Sequence, residues 1–560
     1  MLYKTIRKNI IIIVFFALIM AFFLWSVYGA IAPHLNSDEY GYWASAAYLI
    51  GYDWHNVMPS AYFSYLYGLL LVLPMRIIES PVLCFKFGIF LNAIFIFGLA
   101  CSISRILDLV YSYNKKTKAL VLSCSVFYCS VVTYLGITVT ECMLYYLYSE
   151  IVFCFLKYID TKHKGWIALA VAISGIEYVA HQRTIAILLL SLAYAAYFMC
   201  KEKEIKMIVV IAVIVMVELI IHHYTKDFFQ SNMLGDAAVD GISKNDYSGQ
   251  AGKFVYLFTK KGFTNFLIGL VGKVGYHLVG TMGMLGIPIM HFIRLWKTSR
   301  FRNMNKVMFL SSYTIISLGM MIVVSALYFI GSTKNSTFLL YGRYSDFVMP
   351  LYMALICKCL IDGDITKKDI FICLFLNAIV SEVLNIKLMS EDFTYQNVSI
   401  SQVATSVFYQ DGKISIFLML GVTNVLLIIF LLLREYKAGI VIGCFAAVGI
   451  FVGIKAFNLF YTDKQIYIIE QTKDISDVIA DYDLECINVI VTNEEKLGKT
   501  DKYGREIQFL IPRLSLELVS DDEYPNVEGY YVCHKDYYDK IETKNDLLYE
   551  NDEYAFFFID

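Results

Sequence analysis

Through its first 460 positions the chain alternates long apolar blocks with short polar connections. About 20 apolar residues of helix cross the hydrocarbon core of a bilayer. Blocks at 9–31, 82–107, 119–136, 142–158, 166–181, 184–200, 206–222, 274–293, 307–330, 345–360, 370–388, 414–433 and 438–460 therefore predict about 13 transmembrane helices. The stretch "AYFSYLYGLLLVLPM" (61–75) is apolar but short and contains Pro74, and predicts a helix lying along the membrane surface. Beyond 460 the period changes. Short runs such as "INVIVT", "IQFLIP", "LSLELVS", "EGYYVCH" and "YAFFFID" between acidic connectors predict strands. "TKDISDVIADY", with Ile475, Val478 and Ile479 at helical spacing, predicts a helix.

The connections carry a second pattern. Lys4, Arg7 and Lys8 precede the first block. On the same side follow "SRILDLVYSYNKKTK", "KYIDTKHKG", "CKEKEIK", "HFIRLWKTSRFRNMNK", "CKCLIDGDITKKD" and "REYK", all rich in Lys and Arg. The opposite connections hold few basic residues, apart from lysines in the long 223–273 loop. By the positive-inside rule the N-terminus lies inside and, with an odd span count, the C-terminus outside. The expected fold is a polytopic α-helical membrane protein, N-in/C-out, with a small extracytoplasmic C-terminal α/β domain. Residues 1–462 form the transmembrane domain, with a first outer loop at 32–81 and a large outer loop at 223–273. Residues 463–560 form the acidic α/β domain.

Composition sharpens this division. The chain is 58% hydrophobic and 17% charged, far less charged than a soluble protein of this size. From Tyr461 onward 10 basic residues face 24 acidic ones, whereas the preceding part holds 37 basic and 25 acidic residues. A basic membrane region joined to an acidic tail implies two compartments, not nucleic-acid binding. No glycine-rich nucleotide motif occurs, which suits a site on a side without nucleotide supply. The 13 cysteines lie mostly in apolar runs and none has metal-site spacing, while Cys486 and Cys533 in the tail could pair. "GAIAP" resembles a cleavage site, but the first block is too long for a signal peptide, so an uncleaved first helix is expected.

Sidedness gathers scattered polar residues at one outer surface: Asp38 and Glu39 in "SDEYGYW", Asp53, Glu141 in "GITVTECMLYY", His181 and Arg183 in "EYVAHQRTIA", Arg343 and Tyr344 in "LLYGRYSDFVMP", and Lys260 with Lys261 in the 223–273 loop. Charged residues at span ends often simply reach water, and Lys260, Lys261 and the His222–His223 pair also read as interfacial side chains. Glu141 and Arg183 differ, because each lies beside a long apolar run without a charged neighbour and needs a partner or a wet cavity. Transfer of a sugar from a polyprenyl phosphate would use such a set. Arginine pairs with phosphate through its planar fork, and a carboxylate can take the proton of the attacking hydroxyl. Arg343 and Arg183 fit the first role and Asp38 the second, with no soluble cofactor required.

"SDEYGYW" in a first outer loop resembles the Asp-Glu motif of the GT-C glycosyltransferases, which include protein O-mannosyltransferases and the lipid A aminoarabinose transferase. The order of features is similar: a first span, an acidic loop, an apolar surface helix "PSAYFSYLYGLLLVLP", then "LNAIFIFGLACSISRIL". "YGRYSDFVMP" is similar to an Arg-Tyr segment of bacterial members. The resemblance implies Asp38 as catalytic base, Glu39 shaping the site or contacting a divalent cation, and Glu141 as a further carboxylate. It places Arg343 at the donor phosphate, where Arg183, His181, Tyr344 and Lys260 are the further candidates. The implied partners are a polyprenyl-phosphate sugar donor, a glycan, lipid or protein acceptor, and membrane lipids, with inversion at the anomeric carbon. Nothing marks MIR-type domains or a WWDYG motif, so a bacterial cell-envelope acceptor is favoured over protein O-mannosylation or en bloc transfer. A lipid-linked glycan flippase, an envelope polysaccharide polymerase or ligase, and a sensor or scaffold are the competing readings.

Overall fold

The computed structural model describes residues 2–33, 37–57, 64–233, 250–299, 304–390, 393–394, 399–410, 413–491, 503–521, 528–539 and 546–559. The start of the 61–75 surface segment, Arg300 and Arg302 of one basic connection, and the middle of the 223–273 loop lie outside these residues.

Most of the expected blocks are helices. They are α1 (Leu2–Ser26), α2 (Ser37–Leu49), α3 (Tyr65–Ile77), α4 (Pro81–Val110), α5 (Lys115–Val126), α6 (Cys129–Tyr134), α7 (Glu141–Thr161), α8 (Gly165–Ala180), α9 (Ile185–Lys201) and α10 (Ile205–Met233). Then come α11 (Gln250–Leu257), α12 (Lys260–Gly280), α13 (Gly286–Ser299), α14 (Lys306–Tyr328), α15 (Met349–Ile361), α16 (Lys367–Leu388) and α17 (Ile416–Phe460). Among the described residues seven helical segments are long and apolar enough to cross a membrane, and four apolar helices are shorter.

Breaks explain part of the gap to the expected number. The 119–136 block is interrupted at Phe127 between α5 and α6. The 274–293 block bends between α12 and α13, where Gly283 has φ +82° and a Cβ would meet Asn377 at 2.9 Å. α17 is one helical run, yet its Val422 and Leu426 line the same cavity of about 240 Å³ as its Phe445 and Val448. A straight helix would put residues 422 and 448 about 39 Å apart, so the two halves lie side by side.

The bundle is built around α7, whose apolar window is 72% buried against 11% for α10. α4, α8 and α14 pack around it. α10 is apolar on nearly every side and presents those sides outward, the arrangement of a helix bathed in lipid. One expected loop is a helix: "SDEYGYW" opens α2.

The tail begins with α18 (Asp463–Asp481), capped by Thr462 and Gln465 acting reciprocally. A five-stranded sheet follows, with strands β1 (Cys486–Val491), β2 (Ser515–Ser520), β3 (Gly529–His534), β4 (Asp546–Glu550) and β5 (Tyr554–Ile559). Their order is β2-β1-β3-β5-β4, with β1 parallel to β2 and β3, and β5 antiparallel to β3 and β4. "IQFLIP", expected as a strand, instead belongs to α19 (Tyr503–Leu510) and the turn after it. Its apolar run is too short to separate strand from buried helix by period, and burial on all sides of α19 decides for helix. Cys486 and Cys533 do not pair; both thiols are free, Cys486 exposed on β1 and Cys533 buried on β3.

Candidate active site

Two helix N-termini meet here. Asp38 and Glu39 occupy the first turn of α2, and Glu141 opens α7. Carboxylates suit these positions because the first backbone N–H groups and the helix dipole favour negative charge. Between them lies Arg343. Its Nε donates to Glu141 Oε1 and its Nη1 to Asp38 Oδ2. Arg183, held in a short 3₁₀ turn between α8 and α9, donates from Nη2 to the same Glu141 oxygen at 2.9 Å. The side chains of Arg183, Glu141 and Arg343 are 0%, 2% and 5% exposed, whereas Asp38 is 20% exposed. Asp38 is thus the carboxylate of the set that solvent or a second substrate can reach.

Each charged group is held by its own surroundings. Glu39 turns inward, and its Oε1 accepts from the Thr138 N–H and hydroxyl, both at 2.8 Å. Trp43 Nε1 donates to Thr138 Oγ1 at 3.1 Å, and the Tyr42 hydroxyl meets Thr140 Oγ1 at 3.2 Å. One face of α2 is therefore stitched to the segment that leads into Glu141. Asn92 of α4 secures that segment from behind, donating to Ile137 O at 2.7 Å.

The arginine loop is held by α12 at three points. Lys273 Nζ donates to Phe338 O at 2.6 Å, Tyr276 to Asp346 Oδ2 at 2.9 Å, and His277 Nε2 pairs with Ser345 Oγ at 2.6 Å. Gly342 allows the close approach, since a Cβ there would lie 1.8 Å from the Tyr276 ring. Arg183 also stacks on Tyr344, its guanidinium carbon 4.9 Å from the ring centroid. His181 lies edge-on to Tyr344 at 6.1 Å, and its Nδ1 accepts from the Arg183 N–H at 3.4 Å.

Six of the eight residues read from the sequence therefore converge: Asp38, Glu141, Arg183, Arg343, His181 and Tyr344. Glu39 is adjacent but faces the Thr138 segment. Lys260 is elsewhere, exposed at the first turn of α12, with no described contact to the centre. Another lysine of the same loop, Lys253 on α11, has its ammonium 4.0 Å from the ring centroid of Tyr328, which in turn lies 5.5 Å from Tyr344. Burial lowers the Lys253 ammonium below the usual lysine value. Its sequence signal was the apolar setting "GKFVYLF", whereas adjacent lysines such as Lys260-Lys261 are typical of a solvated face. Asp53 sits on the surface against His55. The adjacent histidines diverge: His222 Nε2 accepts from Gln182 at 3.1 Å, and His223 faces Asp227. Among the described residues no group of three or more His, Cys, Asp or Glu side chains gathers as a cation set.

The chain thus combines a helical fold, with segments long and apolar enough to cross a membrane, and a largely buried, charge-balanced cluster of two carboxylates and two arginines beside an aromatic wall. No family model and no curated protein matches the sequence. Among solved structures, the chain shares its fold with ArnT from Cupriavidus metallidurans bound to undecaprenyl phosphate, at 13% identity and a TM-score of 0.53, covering 98% of this chain and 97% of that one. ArnT in the apo state matches equally, at 12% identity with the same score and coverage. The resemblance to the lipid A aminoarabinose transferase group read from "SDEYGYW" holds at the level of the fold.

Proposed function

We propose that this chain is a membrane glycosyltransferase that moves a sugar from a polyprenyl-phosphate donor to an extracytoplasmic cell-envelope acceptor, with inversion. The observation that carries the reading is the convergence of Asp38, Glu141, Arg183 and Arg343, drawn from four distant segments, into one centre. That neighbouring ArnT is bound to undecaprenyl phosphate supports a donor of the same chemical class.

In this reading the donor phosphate displaces Asp38 from Arg343 and shares the guanidiniums of Arg343 and Arg183 with Glu141, their forks suiting phosphate oxygens. The acceptor hydroxyl enters beside the partly exposed Asp38. Its oxygen attacks the anomeric carbon from the face opposite the phosphate. The new C–O bond forms as the bond to the phosphate oxygen breaks, the lipid phosphate leaves with the electron pair, and Asp38 takes the hydroxyl proton. Glu141 holds both arginines, Glu39 orients the first turn of α2, and Tyr344 with His181 lines the arginine side. Lys253 adds positive charge at the rim.

The decisive assay supplies purified protein with a polyprenyl-phosphate sugar and candidate acceptors, and compares Asp38→Asn. Turnover should fall by about 10²–10⁴-fold, the usual contribution of general acid–base catalysis, with donor binding retained. Transfer by Asp38→Asn at the wild-type rate would remove Asp38 from the base role.

A further inference from the structure

The C-terminal domain reaches back to the helix that carries Asp38. α19, which contains most of the run expected as a strand, is buried from Tyr503 to Phe509 between the tail sheet and the membrane domain. Phe509 enters an aromatic cage on the membrane side, with ring centroids 5.2 Å from Trp43, 5.9 Å from Phe85 and 6.3 Å from Trp54. Around it the first outer loop donates twice to the tail backbone: Trp54 Nε1 to Pro512 O at 3.0 Å, and Asn56 Nδ2 to Leu516 O at 2.8 Å. Arg513 Nε returns one bond, to the Tyr52 hydroxyl at 3.4 Å.

The cage is not a passive rim. Trp43, edge-on to Phe509, also binds Thr138, and Thr138 binds Glu39, the neighbour of Asp38. The tail also buries Arg505 and Glu506, on α19 itself. α2 is thus held from two sides, by the 138–140 segment within the bundle and by α19 from outside it.

We propose that the C-terminal domain positions the catalytic helix, with Phe509 as the positioning residue that fixes α2, and so Asp38, through Trp43. The proposal rests on the glycosyl-transfer reading for the role of Asp38, but its mechanical part does not. A misplacement of about 1 Å at a reacting group can cost up to about 100-fold in rate. A domain that holds the base in place should therefore act on turnover more than on donor affinity.

The test uses the full chain in detergent or nanodiscs and compares wild type, Phe509→Ala and Phe509→Leu by two readouts. In hydrogen exchange, the amides of α2 should exchange about tenfold faster in Phe509→Ala, an opening of the low-stability kind, and less fast in Phe509→Leu. In the transfer assay, kcat should fall about tenfold in Phe509→Ala with donor KM within about twofold, and Phe509→Leu should recover part of it. Amides of β1 and β2 report whether the tail itself stays folded. If truncation unfolds the tail, α2 must still lose its protection. An α2 that stays protected, with Phe509 truncated or the tail undocked, overturns the proposal, as does a loss expressed only in KM. A wild type without transfer on any polyprenyl-phosphate sugar would instead sink the functional reading and leave the exchange result standing.

Discussion

Replacing Glu141 with Gln leaves shape and volume almost unchanged but removes the charge that two guanidiniums share. Arg183 is 0% exposed and Arg343 5%, so neither can turn to water for compensation. Arg343 keeps Asp38, and Arg183 keeps its stacking on Tyr344. Breaking a buried ion pair by neutralising one partner costs about 3–5 kcal/mol, because the surviving charge stays desolvated. Neutralising both partners costs far less. The double variant Glu141→Gln/Arg183→Met should therefore sit within about 1–2 kcal/mol of wild type, and the cycle should show a coupling of about 4 kcal/mol or more. Reversible unfolding in mixed dodecyl maltoside and SDS micelles, followed by circular dichroism, gives all four corners. Strictly additive costs, or a single Glu141→Gln variant as stable as wild type, would refute the reasoning from burial. The double variant should remain without transfer activity, since the donor phosphate has lost one of its arginines.

Three further outcomes are expected. The lowered Lys253 ammonium loses its charge at a lower pH than an ordinary lysine, so donor KM should rise as pH climbs through that range; Lys253→Arg, which stays charged, should abolish the rise. Glu39 Oε1 already accepts from the Thr138 N–H and hydroxyl, so transfer should keep its rate in excess EDTA; a loss restored by Mg²⁺ or Mn²⁺ would point to a cation at Glu39. Cys486 and Cys200 are exposed, while Cys533 is buried with its thiol pushed up to about 12. An impermeant maleimide on intact cells should label Cys486, reach Cys200 only after permeabilisation and leave Cys533 untouched until denaturation; labelling of Cys200 first would reverse the orientation.

Glu141 and Arg183 were legible for a physical reason. An isolated charge beside a long apolar run has no cheap place to go, so the sequence already demands a partner, and each is the other's partner. Arg343 and Asp38 were legible only through sidedness combined with family resemblance, because nothing local in "GRYSD" or "SDEYG" states that residues 305 positions apart pair. Local pattern failed where burial overrode period. α2 reads as a loop since its small and aromatic residues lack a clean apolar face, yet it folds as a helix between two partners. α19 failed in the same way, being buried on every side. For the lysines, position in a loop says little about which one bends inward, and here it is Lys253 that lies against an aromatic ring, that of Tyr328.

The charge count of the centre bears on how it would work. Asp38, Glu141, Arg183 and Arg343 sum to zero, which makes their joint burial tolerable while the site is empty. A sugar phosphodiester brings one negative charge and leaves as a phosphate monoester carrying about −1.5 to −2. A neutral cluster cannot stabilise that increase unless charge elsewhere changes. Proton transfer to Asp38 supplies part of the change, since the base becomes neutral as the leaving group gains charge, and the two arginines are then shared between Glu141 and the phosphate. Lys253 at the rim supplies the rest. On the proposed reading, the 20% exposure of Asp38 and the burial of the other three therefore belong to one design. The group that must change its charge stands where the acceptor can reach it, and those that must keep theirs are more deeply buried.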